Sequence, residues 1–273
     1  MAGLVRIYKK NMSDSRPIGV FDSGVGGLSV LKHIKELLPN EHLFYVADSA
    51  YAPYGNKSDS EITQRSVAIA HFLIEKNIKA LVVACNTATA VAIASLRNDF
   101  DIPVIGMEPA VKPAALQTQS GIVGILATPG TLTSQKFSRL YKQYASDVEI
   151  ISQACPGLVE QVELADLTGE QTRALVQQYV SSLVDQGADT LVLGCTHYPF
   201  LKPLIEEIAG ENISVIDTGS AIAKELLRQL QNKTLLNLDS VIGEQYFWSS
   251  QSSSQDVVHQ LWNDTVIINE LGI

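Results

Sequence analysis

The sequence predicts an α/β protein made of two similar, doubly wound parallel sheets, with the functional site in the cleft between them. Short apolar runs alternate with amphipathic helical stretches along most of the chain. The runs are apolar throughout, which is typical of strands buried on both faces. Pairs of strand ends also resemble one another at near-equal spacing. In such sheets ligands bind at the carboxyl ends of the strands, so the residues that follow each run are the first candidates for a site.

The apolar runs give the predicted strands in chain order: residues 18–21, 43–47, 80–84, 104–106, 122–127, 148–151, 190–194 and 215–216. Between them lie amphipathic stretches, which predict helices over residues 28–38, 61–76 and 171–184. The tail after Leu235 differs in character. It contains a short strand pattern, a Ser/Gln-rich connection predicted to be a loop, and an amphipathic end, at residues 246–248, 249–255 and 257–262. We expect the tail to pack against one half.

A weak internal repeat supports the division into halves. The segment IGVFDSGVGG from Ile18 resembles IVGILATPGT from Ile122, and LVVACNTAT resembles LVLGCTHYP further along each half. The half-starts are 104 residues apart and the cysteines of the second pair are 110 apart. This predicts two halves of about a hundred residues each. The alternative is that strand ends of any α/β protein resemble each other.

Composition narrows the class of protein. The chain has 273 residues, 46% of them hydrophobic, which is enough for a substantial core and excludes general disorder. A formal net charge of −9 argues against nucleic acid as a partner. Three cysteines without a CxxC pair favour a reducing compartment. Because no apolar stretch is long enough for a signal peptide or a membrane span, we expect a cytoplasmic protein without membrane contact.

A glycine-rich turn follows the first predicted strand, at residues 24–27. A dinucleotide site is one interpretation, since Asp48 lies about twenty residues further on. However, Ser29 occupies the third glycine position of that fingerprint, and the chain has no Walker A sequence. The alternative is a tight turn whose backbone N–H groups hold a carboxylate.

Two cysteines at equivalent strand ends are the sharpest feature of the sequence. Either Cys85 or Cys195 alone could be a buried structural residue. Together they suggest two thiols across one cleft, each with a pKa lowered by a helix N-terminus. Inversion at a stereocentre needs such a pair, because one group removes a proton while the other donates from the opposite face.

Short polar side chains surround both cysteines in the sequence, and they suit carboxylate and ammonium contacts: Asp22, Ser23, Asn86, Thr87 and Thr196. Asp22 either assists the Cys85 thiol or caps the next helix. His197 is a candidate proton partner for Cys195. Zinc is disfavoured, because no second pair of closely spaced ligands accompanies these residues. Cys155 has no counterpart in the other half and is predicted to be a packing residue.

At these residues the sequence resembles the glutamate racemases of the cofactor-independent aspartate/glutamate racemase superfamily. The matching segments are FDSGVGGLSV, DSAYAPYG, VVACNTATA, GMEPAVKPA, ACPGLVEQVE and LGCTHYPFL. They occur in the family's order and cover residues 17–219. The combination is highly specific, whereas any one segment alone is not.

The resemblance implies an enzyme that interconverts L- and D-glutamate with two thiols, without pyridoxal phosphate or metal, and supplies D-glutamate for peptidoglycan and cell-wall synthesis. It implies that Cys85 acts on D-glutamate and Cys195 on L-glutamate, assisted by Asp22, His197 and Glu163. The implied substrate contacts are Asp22, Ser23, Pro53, Tyr54, Gly55, Asn86, Thr87, Thr196 and His197.

The resemblance also implies how the chain is divided and what it meets. Residues 17–108 with 218–273 are expected to form one domain and residues 109–217 the other, after a flexible extension over residues 1–16. A homodimer is expected, and the extension resembles that of members activated by a muramyl precursor of the cell wall.

Two other functions stay open at this point. One is an aspartate racemase or related carbon-acid enzyme of the same superfamily, which the size of the pocket would distinguish. The other is a nucleotide-binding or regulatory interaction protein in which both thiols are structural.

Overall fold

The computed structural model describes residues 13–144, 148–251, 254–262 and 264–273. Its ten strands form two parallel sheets, one of six strands and one of four. The strands are β1 Ile18–Asp22, β2 Leu43–Ala47, β3 Ala80–Val83, β4 Val104–Gly106, β5 Ile122–Ala127, β6 Glu149–Ala154, β7 Thr190–Leu193, β8 Ser214–Ile216, β9 Gln245–Ser249 and β10 Ile268–Glu270. Parallel strands joined by helices are the doubly wound arrangement that the alternation of patterns predicts.

The strand order confirms the internal repeat. The four-stranded sheet has the order β6-β5-β7-β8, and the larger sheet contains β2-β1-β3-β4 in the same relative order. The predicted strand ends correspond, because β1 matches β5 and β3 matches β7. The tail packs against one half as predicted, and its predicted strand is β9, beside β2. The tail also adds β10 outside β9, which the sequence did not predict.

Three inner strands are buried along their whole length, whereas the edge strand β6 is not. β1, β3 and β7 contain only buried residues. β6 begins with an exposed Glu149 and has one fully buried position, Ile150. The expectation of strands that are apolar and buried throughout is therefore wrong for β6, because its outer neighbour is solvent rather than another strand.

Eleven helices in the described residues connect the strands: α1 Leu28–Leu37, α2 Asp59–Glu75, α3 Asn86–Asp99, α4 Val111–Gln117, α5 Pro129–Thr133, α6 Gln135–Tyr144, α7 Leu158–Glu163, α8 Glu170–Val184, α9 Lys202–Ala209, α10 Gly219–Lys233 and α11 Gln255–Trp262. Their starts follow local chemistry. Ser58 and Glu61 form a reciprocal capping box at α2, and Thr128 accepts a hydrogen bond from Thr131 N at α5.

A charged residue precedes each cysteine-bearing strand by the same distance, at Lys79 before β3 and Asp189 before β7. Lys79 is fully buried, with Nζ 2.5 Å from Glu41 Oε2 and a hydrogen bond to the Asp14 carbonyl. Asp189 accepts hydrogen bonds from Gln119 N and Ser120 N, both at 2.7 Å. Each residue fixes the start of its strand to a distant segment.

Only the last four residues of the predicted flexible extension, 13–16, belong to the described part of the chain. Residues 1–12 lie outside it, so that part of the prediction stays open. Residues 13–16 contact the body of the protein. Asp14 N donates to Leu236 O at 3.1 Å, and Ser13 Oγ donates to Asn237 Oδ1 at 3.0 Å. Any flexible extension therefore ends before Ser13.

Among the described residues, no helix combines the length and apolar character that crossing a membrane requires. The domain boundaries stay a prediction, although β1 to β4 with β9 and β10 fall on one side of them and β5 to β8 on the other.

Candidate active site

The carboxyl ends of β1, β3 and β7 meet at one small pocket between the two sheets. Ser23, Cys85 and Cys195 follow these three strands directly or after one residue. The pocket is lined by most of the predicted site residues together with four others: Ser23, Pro53, Tyr54, Gly55, Cys85, Asn86, Thr87, Thr128, Thr131, Val159, Gly194, Cys195, Thr196 and His197. Both predicted thiols therefore face the same space.

Cys85 caps helix α3. Its Sγ accepts a hydrogen bond from Ala88 N at 3.4 Å and lies 3.8 Å from Ser23 Oγ. Burial and the nearby Asp22 carboxylate raise the pKa of this thiol well above its usual range, against the opposing effect of the Ala88 N–H. The expectation that the helix N-terminus lowers the pKa of Cys85 is wrong, because burial outweighs the helix effect.

Cys195 has a different environment. It enters a turn and a 3-10 segment, Tyr198–Leu201, rather than an α-helix, so the expected helix start is absent at this cysteine. Its Sγ lies 3.7 Å from His197 Nδ1, and His197 Nε2 lies 2.6 Å from Glu163 Oε1. Thiol, imidazole and carboxylate thus form a continuous chain.

The charge of His197 follows from this chain. Burial alone lowers the pKa of a histidine, but hydrogen bonds to Cys195 and Glu163 outweigh it and raise the pKa well above its ordinary value. The imidazole can therefore carry a proton at neutral pH although it is 1% exposed.

Asp22 lies behind the pocket and does not line it. Its Oδ2 accepts a hydrogen bond from Gly27 N at 2.9 Å, and Thr196 Oγ1 lies 3.4 Å from both carboxylate oxygens. Burial raises the pKa of Asp22, partly offset by His197, whose Nδ1 is 4.0 Å away. Asp22 therefore holds the turn before α1, although no side chain caps the helix itself, and it contributes to the electrostatics of the pocket. Its assistance to the Cys85 thiol stays a prediction.

The glycine loop, residues 24–27, packs against protein side chains. Val25 N donates to Glu163 Oε1 at 2.7 Å, so a backbone N–H of the loop does bind a carboxylate, as one interpretation expected. That carboxylate belongs to the protein. A side chain at Gly24 or Gly26 would overlap with Glu163 or His197. The protein's own side chains therefore occupy the face of the loop at Gly24 and Gly26 and one of its backbone N–H groups, which disfavours a dinucleotide at this loop.

The tyrosine loop, residues 53–55, reaches the pocket from the first half. Tyr54 is 1% exposed, and its hydroxyl donates to Asp48 Oδ2 at 2.6 Å. Arg65 binds the same carboxylate through two nitrogens, at 3.0 and 2.7 Å. Gly55 lies directly against Thr128. The loop is thus fixed from behind by a buried ion pair and closed from the front by the second half.

Four pocket residues were not predicted from the sequence: Thr128, Thr131, Val159 and Gly194. The hydroxyl of Thr87 lies 3.1 Å from Thr128 Oγ1 and 3.2 Å from Thr131 Oγ1, which joins the two halves. The internal repeat could have identified Thr128 and Thr131, since both lie in the hydroxyl-bearing turn of its second copy. Val159 gave no signal, because its place depends on how α7 packs.

Two other predicted features have clear positions. Glu163 does not line the pocket and contacts the pocket residue His197. Cys155 is a buried core residue, as predicted, with Sγ 3.3 Å from the Gln153 carbonyl. Over the described ranges, no group of three or more His, Cys, Asp or Glu side chains could hold a metal ion.

The chain is similar in sequence to known proteins over most of its length. The sequence pattern of the Asp/Glu/Hydantoin racemase family matches residues 18–226. A glutamate racemase of Pseudomonas paraeruginosa is 49% identical over 264 residues, which are 96% of this chain and 99% of that protein. A glutamate racemase of Ectopseudomonas mendocina is 55% identical over 235 residues, 86% of this chain and 89% of that one.

Solved structures are similar over nearly the whole chain. The crystal structure of glutamate racemase isoform RacE1 from Bacillus anthracis has a TM-score of 0.84 at 33% identity, covering 94% of this chain and 98% of that one. Escherichia coli glutamate racemase in complex with L-glutamate and the activator UDP-MurNAc-ala also has a TM-score of 0.84, at 32% identity, with 94% and 98% covered. With its family pattern matched across most of its length, the chain belongs to the Asp/Glu/hydantoin racemase family.

Proposed function

We propose that the protein is a glutamate racemase that interconverts L- and D-glutamate through two thiols, without pyridoxal phosphate or another cofactor. The observation that carries the proposal is that Cys85 and Cys195, from different sheets, line one pocket. A proton can then leave the α-carbon toward one half of the protein and return from the other, which is what inversion requires.

In the L-to-D direction, Cys195 begins as the thiolate and Cys85 as the thiol. The Cys195 sulfur takes the α-proton, and the electron pair of the broken C–H bond remains on the α-carbon and the adjacent carboxylate. The Cys85 thiol then donates its proton to the opposite face, which gives D-glutamate. Turnover leaves Cys195 as the thiol and Cys85 as the thiolate, so the D-to-L direction uses the same groups in reverse.

The neighbouring charged residues assist each thiol differently. His197, 3.7 Å from Cys195 Sγ, exchanges a proton with that thiol, and Glu163 orients the imidazole and stabilises its charge. On the other side, the buried Asp22 carboxyl has a raised pKa and assists Cys85. The raised pKa of Cys85 keeps this thiol protonated until it has donated to the substrate.

The substrate would be held by short polar groups and backbone atoms around the pocket. Asn86 and Thr196 follow the two cysteines and can bind the α-carboxylate and ammonium groups. The side-chain carboxylate would meet the tyrosine loop, and Ser23, Thr87 and His197 complete the set. Thr128 and Thr131 join these contacts from the second half.

The proposal extends to the protein's setting. We infer the two domains stated above, with residues 17–108 plus 218–273 forming one and 109–217 the other, and a homodimer in the cytoplasm that supplies D-glutamate for peptidoglycan. The E. coli relative whose structure holds UDP-MurNAc-ala motivates the proposal of a muramyl-precursor activator. An unchanged racemisation rate on adding UDP-MurNAc-ala would contradict that activator.

α-Proton exchange tests the function directly. Purified protein free of pyridoxal phosphate and metal is placed in D₂O with L-glutamate, D-glutamate or L-aspartate, followed by proton NMR and a chiral assay. We expect exchange and inversion with both glutamate enantiomers. Exchange with aspartate alone would replace the proposal with an aspartate racemase. A lack of exchange with all three, with and without UDP-MurNAc-ala, would favour structural thiols.

A further inference from the structure

The catalytic pocket is nearly closed. Its cavity volume is about 10 Å³, room for about one water molecule. Two larger cavities adjoin it, of about 260 Å³ and about 300 Å³. Each of these two cavities shares lining residues with the pocket and is a candidate route to it, and the wall between cavity and pocket must part to admit an amino acid.

The two cavities share different walls with the pocket. Asn86 and Thr131 line both the pocket and the 260 Å³ cavity. Pro53 and Val159 line both the pocket and the 300 Å³ cavity. Each cavity is thus separated from the pocket by residues that line both, and this geometry alone does not show which cavity leads to the thiols.

The charges of the two linings are opposite in sign. The charged residues around the 260 Å³ cavity are Lys136, Arg139 and Glu108, and Lys136 Nζ lies 2.9 Å from Glu108 Oε1. We call this the cationic cavity. The charged residues around the 300 Å³ cavity are Glu160 and Glu163, and we call it the acidic cavity. A carboxylate approaching the site is attracted by the first lining and repelled by the second.

The shared wall of the cationic cavity contains an unpartnered acceptor. Asn86 is 5% exposed, and its Nδ2 donates to Gly194 O at 2.6 Å. In the part of the chain that the structure describes, its Oδ1 has no hydrogen-bond partner. An orphaned buried acceptor is costly unless a donor meets it, and an ammonium group passing this wall is such a donor.

We propose that the cationic cavity is the binding antechamber through which anionic amino acids reach the two thiols, with Lys136 and Arg139 attracting the carboxylates and Asn86 forming the inner wall. The choice of an amino acid as ligand rests on the proposed function. The route itself rests on the shared walls and on the opposite charges of the two cavities. Opening this wall requires that Thr131 separate from Thr87, which lies on the other side of the cleft.

Alkylation of the two thiols measures how the charge of a small molecule affects its access to the pocket, and it does not require catalytic turnover. Iodoacetate and iodoacetamide react by the same displacement, in which the thiolate sulfur bonds to the CH₂ carbon and iodide leaves, but only iodoacetate is an anion. The ratio of the two rates at Cys85 and Cys195, measured by peptide mass spectrometry, cancels the thiolate fraction of each cysteine. It therefore reports how strongly the route favours an anion.

We expect K136Q/R139Q to lower this ratio by about threefold or more at low ionic strength, because two cations leave the route. The difference should shrink at high salt, where the charges are screened. Lys142 lies exposed on α6 and does not line the cavity, so K142Q is the control of matched charge type. Thermal melting checks that each variant is folded.

Two further variants separate the routes. E160Q removes a charge from the acidic cavity and should leave the ratio unchanged. Ala90 lines the cationic cavity but not the pocket, so A90F should slow alkylation by both reagents. A ratio in K136Q/R139Q equal to that in K142Q, or a rise in E160Q, would overturn the proposal. If the unmodified protein does not racemise glutamate but the variants change the ratio as expected, the proposed function is wrong and the proposed route still stands.

Discussion

The strands β3 and β7 occupy equivalent positions in the two sheets, yet they deliver their cysteines into different chemistry. Cys85 caps an α-helix beside Asp22, and Cys195 enters a turn beside His197 and Glu163. The starts of these strands also differ, with a buried ion pair at Lys79 and a half-exposed carboxylate at Asp189. A repeated scaffold therefore fixes where the thiols lie, and the segments around each strand decide how each thiol holds its proton.

The largest effect should come from removing either thiol. C85S and C195S should each lower racemisation by about 10³-fold, because one face of the α-carbon loses its acid or base. The comparison of the strands predicts that residual exchange is one-sided: C85S should still exchange the α-proton of L-glutamate, and C195S that of D-glutamate. Proton NMR in D₂O measures both. C155S is the control and should racemise normally. Equal loss of exchange from both enantiomers in both variants would contradict the assigned faces.

Breaking the buried ion pair tests the scaffold under the first thiol. K79M leaves the Glu41 carboxylate, which is 2% exposed, without its cation, so the free energy of unfolding should fall by about 3–5 kcal/mol. Denaturant unfolding measures this. The double variant K79M/E41Q should recover most of the loss, because no buried charge remains unpaired. If the double variant is as unstable as K79M, the pair does not act through its charge.

Cys195, His197 and Glu163 form a hydrogen-bonded relay that Cys85 lacks, so removing His197 should affect the two thiols unequally. H197N should lower kcat by about 10²-fold, because Cys195 loses its proton partner. The equilibrium constant of racemisation is one, so kcat/KM must fall equally in both directions. The asymmetry should appear in the primary deuterium isotope effect, which should change more with L-glutamate than with D-glutamate. H71N, at an exposed histidine on α2, is the control. An unchanged kcat with a raised KM would mark His197 as a substrate-binding residue instead.

The smallest effect concerns the start of β7. Burial opposes ionisation of Asp189, but hydrogen bonds led by Thr118 outweigh it and lower its pKa from 3.8 to about 2. A carboxyl group with a lowered pKa stabilises the fold above about pH 4, and this contribution is lost as the pH falls toward about 2. D189N should cost roughly 1 kcal/mol at neutral pH and less in acid. D185N, at an exposed site, is the control, and a pH-independent difference in melting would contradict the explanation.

Sequence patterns predicted the strands well because buried parallel strands are locally apolar. They also placed each cysteine at the carboxyl end of a strand, and the repeat predicted that the two strand ends would face one cleft. They failed where the outcome depends on contacts between distant segments. The pKa of Cys85 is set by burial and Asp22 rather than by its own helix, and Thr128 reaches Thr87 only because α5 closes over the tyrosine loop. The exposed face of β6 was missed because an edge position is a property of the whole sheet.

The close packing of the glycine loop against Glu163 and His197 has a consequence for how the protein can change. A side chain at Gly24 or Gly26 would displace the relay of the opposite half, although neither glycine contributes an atom to that relay. At Gly272 an added methyl group would meet nothing within 4 Å. In a saturation library selected for growth without external D-glutamate, we therefore expect most substitutions to survive at position 272 and almost none to survive at positions 24 and 26. A substitution in the glycine loop of one half therefore also disturbs Glu163 and His197 of the other, so at this contact the two halves cannot change independently.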